Sequence, residues 1–136
     1  MARIAKQPKE VTIVISADAH QRVVHGAQQL QESLLGCGKK VSLVRGSFDK
    51  AADNTILVGT AKDGVVFQEA LKPYEAKKEG FALICEPQQK IVIAGVDESG
   101  ALYGCLELAE RIESGKEKLP DKLTFYDSPA IRPPRR

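Results

Sequence analysis

Continuous aliphatic runs alternate along this chain with stretches whose apolar positions recur every three or four residues. Val11-Thr12-Ile13-Val14-Ile15 is nearly continuous and β-branched, the pattern of a strand buried on both faces. Val23, Ala27, Leu30 and Leu34 follow in steps of four, three and four, which sets them on one stripe of a helix. Asp18 stands where an N-cap belongs, and Gln21 three residues on fits the partner position of a capping box. The helix is expected to run to about Leu35, with Gly36 and Gly38 supplying a left-handed C-cap.

Residues 41–44 read as a second strand after a tight turn through Gly38-Lys39-Lys40, and residues 47–54 as a polar loop. Residues 55–59 form a third strand, and Pro73 stops the short helical stretch 65–71. Residues 81–85 and 91–94 flank the polar turn Glu86-Pro87-Gln88-Gln89, so they predict an antiparallel hairpin. The last helix is expected over residues 100–113, with Ala101, Cys105, Leu108 and Ile112 on its apolar stripe. Glu107 and Arg111 form an i,i+4 pair on its wet side, Gly115 caps it, and residues 122–126 offer one more short strand. The order βαββαββαβ predicts an α+β fold: a two-layer sandwich, its mixed sheet covered by the two long helices. Residues 1–10 read as a flexible lead, 11–128 as one α/β domain and 129–136 as a linker.

Composition narrows the function. At 136 residues, with 43% hydrophobic and 28% charged, the chain is long enough for one core without staples. A net charge of +2 gives no long-range field for nucleic acid or anionic membrane. The basic excess sits partly at the ends, in Arg3, Lys6, Arg132, Arg135 and Arg136, and reads as solvated. No apolar run approaches the roughly 18 residues of a membrane span, and the first residues lack the hydrophobic region of a signal peptide. Cys37, Cys85 and Cys105 are odd in number and widely spaced, which is no disulfide framework, although two of them could pair. Cys85 and Cys105 read as core residues, and Cys37, between two glycines, as the most exposed thiol.

The candidate chemistries each fall short. Gly95, Gly100 and Gly104 follow a strand and open a helix, but Ala101 and Leu102 stand where a phosphate loop needs Lys and Ser/Thr. The dinucleotide spacing Gly-x-Gly-x-x-Gly is also absent. Asp97 and Glu98 satisfy the helix dipole themselves and would repel phosphate. Gly104 costs about 1 kcal/mol inside a helix, which a close helix–strand approach would justify. His20 and His25 are five apart and do not share a helix face, so no zinc-protease pair forms. Cys37 has no arguable base beside it. Asp97-Glu98 looks like capping, and Glu107 with Glu110 like a solvated helix face, rather than glycosidase carboxylate pairs. With no tryptophan, three tyrosines and four phenylalanines, a sugar-stacking platform is poorly supplied.

An ordered set of motifs does stand out. Strand 11–15 precedes a helix bearing Ala27-x-x-Leu30-Gln31; Thr55-Ile56-Leu57-Val58-Gly59, Glu79-Gly80-Phe81, Ser99-Gly100-Ala101-Leu102-Tyr103-Gly104, Leu119-Pro120 and Asp127-Ser128-Pro129 follow. In this order the chain resembles the small α/β domain that precedes the catalytic barrel in family 20 glycoside hydrolases (β-N-acetylhexosaminidases), with related domains in α-glucuronidases. The family's exit motif continues into an Arg-Gly pair, whereas here Pro133 and Pro134 intervene and Arg136 stands where glycine is expected.

The resemblance implies a zincin-like arrangement with no metal centre, no cofactor and no catalytic residue within this chain. It implies a non-catalytic accessory domain whose partner is a C-terminal catalytic barrel of the same polypeptide, absent here, with glycan a further partner. It also implies an exported parent, periplasmic or extracellular. Gly80, Gly100, Tyr103, Gly104, Asp127 and Pro129 are the motif and interface candidates. The alternatives are a stand-alone glycan- or protein-binding module, and a small α/β enzyme using Cys37 or the 95–104 turn.

Overall fold

The computed structural model describes residues 10–46, 48, 53–115, 119–120 and 122–128. Its strands are β1 (Glu10–Ile15), β2 (Lys40–Arg45), β3 (Thr55–Thr60), β4 (Phe81–Glu86), β5 (Lys90–Gly95) and β6 (Leu123–Asp127). Its helices are α1 (Gln21–Gly36), α2 (Val65–Leu71) and α3 (Glu98–Ser114), with a 3-10 turn over Ala61–Asp63. The βαββαββαβ order holds. One six-stranded sheet runs β2-β1-β3-β5-β4-β6. β1 pairs parallel with β2 and β3, and β3 parallel with β5. β4 is antiparallel to both β5 and β6, so the expected hairpin closes a mixed sheet.

Side chains alternate across the sheet and divide its core in two. Ile13, Ile56, Val58, Leu83, Ile91 and Ile93 meet the α1 stripe of Val23, Ala27, Leu30 and Leu34 and the α3 stripe of Ala101, Cys105, Leu108 and Ile112. All eight helical positions are buried. Gly26 lets the two helices touch, since a Cβ there would lie 3.1 Å from Leu102 Cα. The opposite face departs from the two-layer expectation. There α2 lays Phe67 and Ala70 on Leu57 and Ala94. β3 is buried at every residue, so an apolar central strand demands cover on both sides, and the short helix supplies it.

The start of α1 is also different. Ser16 intercepts the chain: its carbonyl accepts the Ala19 N–H at 3.1 Å and its hydroxyl the Asp18 N–H at 3.1 Å. That turn engages the Asp18 N–H, and the cap falls to His20, whose Nδ1 accepts the Arg22 N–H at 3.0 Å. His20→Ala is therefore expected to lower stability by about 0.5–1 kcal/mol in urea denaturation, and His20→Asn to restore it. α3 starts at Glu98, two residues before its expected first position, because Asp97 caps it.

Glu107 and Arg111 pair at 2.7 Å, but both are half-buried, and the Arg111 guanidinium lies 4.6 Å from the Phe125 ring centroid. The expected i,i+4 pair is present, and Phe125 of β6 covers part of it, so it sits at the margin of the wet face. None of the three cysteines is in a disulfide. Cys85 and Cys105 are core residues as read; Cys37 is half-buried and packs against the main core rather than projecting as an open thiol.

Burial pushes the Cys85 thiol up from 9.0 to about 12, with Arg111 partly opposing the shift, and raises Cys105 as well. Unfolded thiols ionise at their ordinary value while the native ones keep their protons, so stability is full below 9.0 and falls as pH rises towards about 12. Cys85→Ala is expected to flatten that alkaline decline in urea midpoints measured between pH 8 and pH 11 relative to the parent chain.

Candidate interface around the β5–α3 turn

β5 ends at Gly95, and two residues later Asp97 turns the chain into α3. The Asp97 carboxylate works in two directions. Oδ1 accepts the Gly100 N–H at 2.8 Å, capping the helix, and Oδ2 accepts the Glu79 N–H at 3.0 Å, holding the segment before β4. The Gly80 carbonyl accepts the Val96 N–H at 2.8 Å, and the Gly80 N–H donates to Lys77 O at 2.8 Å. Glu79 makes this turn at φ +61°, in the left-handed region.

The glycines here serve contact. A Cβ on Gly100 would overlap the Gly80 carbonyl oxygen, and one on Gly95 would overlap the Ala101 nitrogen. Gly104 brings α3 onto the sheet: a Cβ there would lie 2.5 Å from Ile93 Cγ2 and 3.2 Å from Phe81 Cδ2. The close helix–strand approach that its cost calls for is thus present. With the Glu79 and Gly100 amides both held by Asp97, this turn offers no open cradle for phosphate.

β6 brings the remaining candidates to the same end of the sheet. Asp127 stands opposite Phe81 in the β4–β6 register, next to Gly80. Its Oδ1 accepts the Ser128 N–H at 2.8 Å, and the buried Ser128 hydroxyl donates to Lys78 O at 2.9 Å. Tyr126 donates its hydroxyl to Glu75 O at 2.9 Å and stacks on Tyr74, with ring centroids 4.6 Å apart at 11°. Residues 74–80 thus form a strap laced to β6 and to the start of α3. Gly80, Gly100 and Asp127 come together here. Gly104 lies one turn along α3, Tyr103 packs half-buried against the main core, and Pro129 lies outside the described residues.

Two cavities border the strap. One, of about 400 Å³, is lined by Pro73, Tyr74, Glu75, Lys77, Tyr126, Asp127 and Ser128. The other, of about 210 Å³, lies against Leu71, Val96 and the same two tyrosines. A third crevice, of about 330 Å³, opens where β1 and β3 end, between Asp18, His20, Thr60, Lys62, Asp63 and Glu98. Open α/β sheets bind ligands at such a switch in strand order, but Asp63, Lys62, Glu98 and His20 are engaged locally. Asp63 Oδ2 accepts the Thr60 N–H at 2.8 Å, Lys62 pairs with Glu98 at 3.6 Å, and His20 caps α1.

Among the described residues no group of three or more His, Cys, Asp or Glu side chains is placed to hold a metal ion, and no helix is long and apolar enough to cross a membrane. Sequence reading took Asp97 as a helix cap and missed its second bond to Glu79. It also missed the Tyr74–Tyr126 stack and the Ser128 anchor, whose partners lie far apart along the chain and leave no local pattern.

The family model described as "Glycosyl hydrolase family 67 N-terminus" matches residues 2–108. Similar folds occur among solved structures, three of them as follows. The first is a GH138 enzyme targeting pectin rhamnogalacturonan II, with TM-score 0.60, 22% identity, and coverage of 87% of this chain and 15% of that one. The second is BtGH115A, a family GH115 4-O-methyl-α-glucuronidase with specificity for decorated arabinogalactans (TM-score 0.57, 23% identity, 88% of this chain and 16% of that one). The third is CpGH84D (TM-score 0.57, 12% identity, 88% and 20%). At these identities the likeness is one of fold, and the chain spans no more than 20% of those proteins. No curated protein matches.

Proposed function

Because this chain belongs to the glycosyl hydrolase family 67 N-terminus family, we propose that it is a non-catalytic accessory domain, packed against a catalytic domain beyond its own residues. The family match over residues 2–108 is the observation that carries this reading. The turn geometry supports it: backbone fills the space at Gly95 and Gly100, the Ile93 and Phe81 side chains fill it at Gly104, and Asp97 is engaged by two amides.

The finer reading, a family 20 hexosaminidase-like domain with a zincin-like arrangement, rests on motif resemblance alone. The match to family 67 favours the α-glucuronidase side of that resemblance. The domain's role is to support the neighbouring catalytic domain, with residues 11–128 as the folded unit and 129–136 as its linker. Gly80, Gly100 and Asp127 hold the supporting edge in shape.

The chain expressed alone is expected to fold and to leave aryl α-glucuronides and aryl N-acetylhexosaminides uncleaved. Added to a family 67 catalytic domain lacking its N-terminus, it is expected to form a complex and raise that domain's thermal midpoint. Turnover that tracks the purified chain through successive columns would sink the proposal, and so would failure to bind the catalytic domain.

A further inference from the structure

The geometry points to a glycan-contact site in the cleft beside the stacked Tyr74–Tyr126 pair, shaped for a pyranose ring of the polysaccharide that the parent enzyme acts on. This deepens the accessory-domain reading and rests on it for the class of ligand.

The chain holds no tryptophan and only three tyrosines, yet two of the three stack face to face at 4.6 Å and 11° on the strap. Phe67 and Phe81 are fully buried in the two cores. Tyr74 and Tyr126 instead stay half-exposed and line both neighbouring cavities. An aromatic ring with an apolar face and a polar edge suits a sugar, whose C–H face is apolar and whose rim carries hydroxyls.

The polar groups are placed to match. Glu75, Lys77 and Asp127 line the cleft around the rings. Glu75 and Lys77 pair with each other at 3.6 Å and Asp127 accepts the Ser128 N–H, but a carboxylate accepts several hydrogen bonds and an ammonium donates three, so the rim can still meet a polyol. The cleft's volume of about 400 Å³ falls within the roughly 300–1,000 Å³ usual for small-ligand sites. The platform is also held in place before any ligand arrives. Tyr126 is anchored to Glu75 O and Ser128 to Lys78 O, both at 2.9 Å, so little ordering remains to be done on binding.

The test titrates the full chain with xylohexaose and with cellohexaose, followed by amide shift mapping and by tyrosine fluorescence, which no tryptophan obscures. Saturable change centred on residues 73–77 and 126–128 with either oligosaccharide is the expected result. Tyr74→Ala should weaken that binding at least tenfold while the fold's amide spectrum persists. Tyr74→Phe keeps the ring and should bind within about twofold of the parent. Should Tyr74→Ala disturb the strap, the Tyr74→Phe variant together with Lys77→Ala, expected to weaken binding threefold or more, still decides the matter. No saturable response to either oligosaccharide up to roughly 10 mM, ten times the concentration that half-fills a millimolar site, would overturn the inference. Shifts at Tyr74 caused by the separate catalytic domain and not by sugar would also overturn it, making the cleft a protein contact while leaving the accessory role standing. Sugar binding without any complex between the domains would uphold the site and sink the accessory role instead.

Discussion

Gly100→Ala is expected to destabilise the chain by about 3 kcal/mol or more, a large part of the roughly 5–15 kcal/mol that holds a domain of this size together. The new methyl would overlap the Gly80 carbonyl oxygen, which is backbone and cannot rotate away. Relief requires α3 and the strap to separate. That motion would break the Gly80–Val96 hydrogen bond of 2.8 Å and stretch the Asp97 contacts to both sides. Gly36→Ala is the matched control, because a Cβ at Gly36 meets nothing within 4 Å. As a helical Gly-to-Ala change, it is expected to be neutral or to stabilise by up to about 1 kcal/mol. Urea midpoints of the two variants check the pair. A Gly100→Ala protein as stable as its parent would show that the strap yields freely and that the close contact holds nothing.

Asp97→Ala should cost about 2–4 kcal/mol, more than the loss of an ordinary helix cap. Removing the carboxylate orphans two amides at once, that of Gly100 in α3 and that of Glu79 in the strap. Asp97→Asn keeps one acceptor oxygen but presents its NH₂ to the second amide, so it should cost about half as much. Hydrogen exchange locates the effect. The Glu79 and Gly80 amides should exchange much faster in Asp97→Ala, whereas those of β1, separated from β5 by β3, should change only with global stability. Equal acceleration at all these positions would mean that Asp97 is a cap and nothing more.

These two sites share a position in the architecture. They stand where the hairpin β4–β5, the start of α3 and the end of β6 converge, at the edge assigned here to supporting a neighbouring domain. A rigid edge suits that role, because a support that yields cannot fix the geometry of what leans on it. The same rigidity holds the Tyr74–Tyr126 platform in place. A loss of strap order in Asp97→Ala should therefore also weaken any sugar response measured there.

The local patterns of the chain were sufficient for its elements. Four-three-four spacing placed Val23, Ala27, Leu30 and Leu34 on one buried stripe, and they are buried. Two apolar runs around a polar turn predicted a hairpin, and β4 and β5 pair antiparallel. Such signals are legible because period and turn chemistry depend on residues close together in the chain. Local competition also misled. Asp18 has the chemistry of a cap, but Ser16 closes a turn over it and leaves the cap to His20. The third layer formed by α2 follows from β3 being central, which becomes certain only when the strand order is known.

The glycines show the boundary most clearly. The sequence by itself determined that residues 95–104 join a strand to a helix and lack the lysine and hydroxyl of a phosphate loop. Only the tertiary structure decided what fills the space those glycines leave: the Gly80 carbonyl against Gly100, and Ile93 against Gly104. It also decided that two distant tyrosines become one surface. Helix and strand patterns are short-range and are written along the chain, whereas which backbones touch, and which rings stack, depends on how the sheet orders its strands.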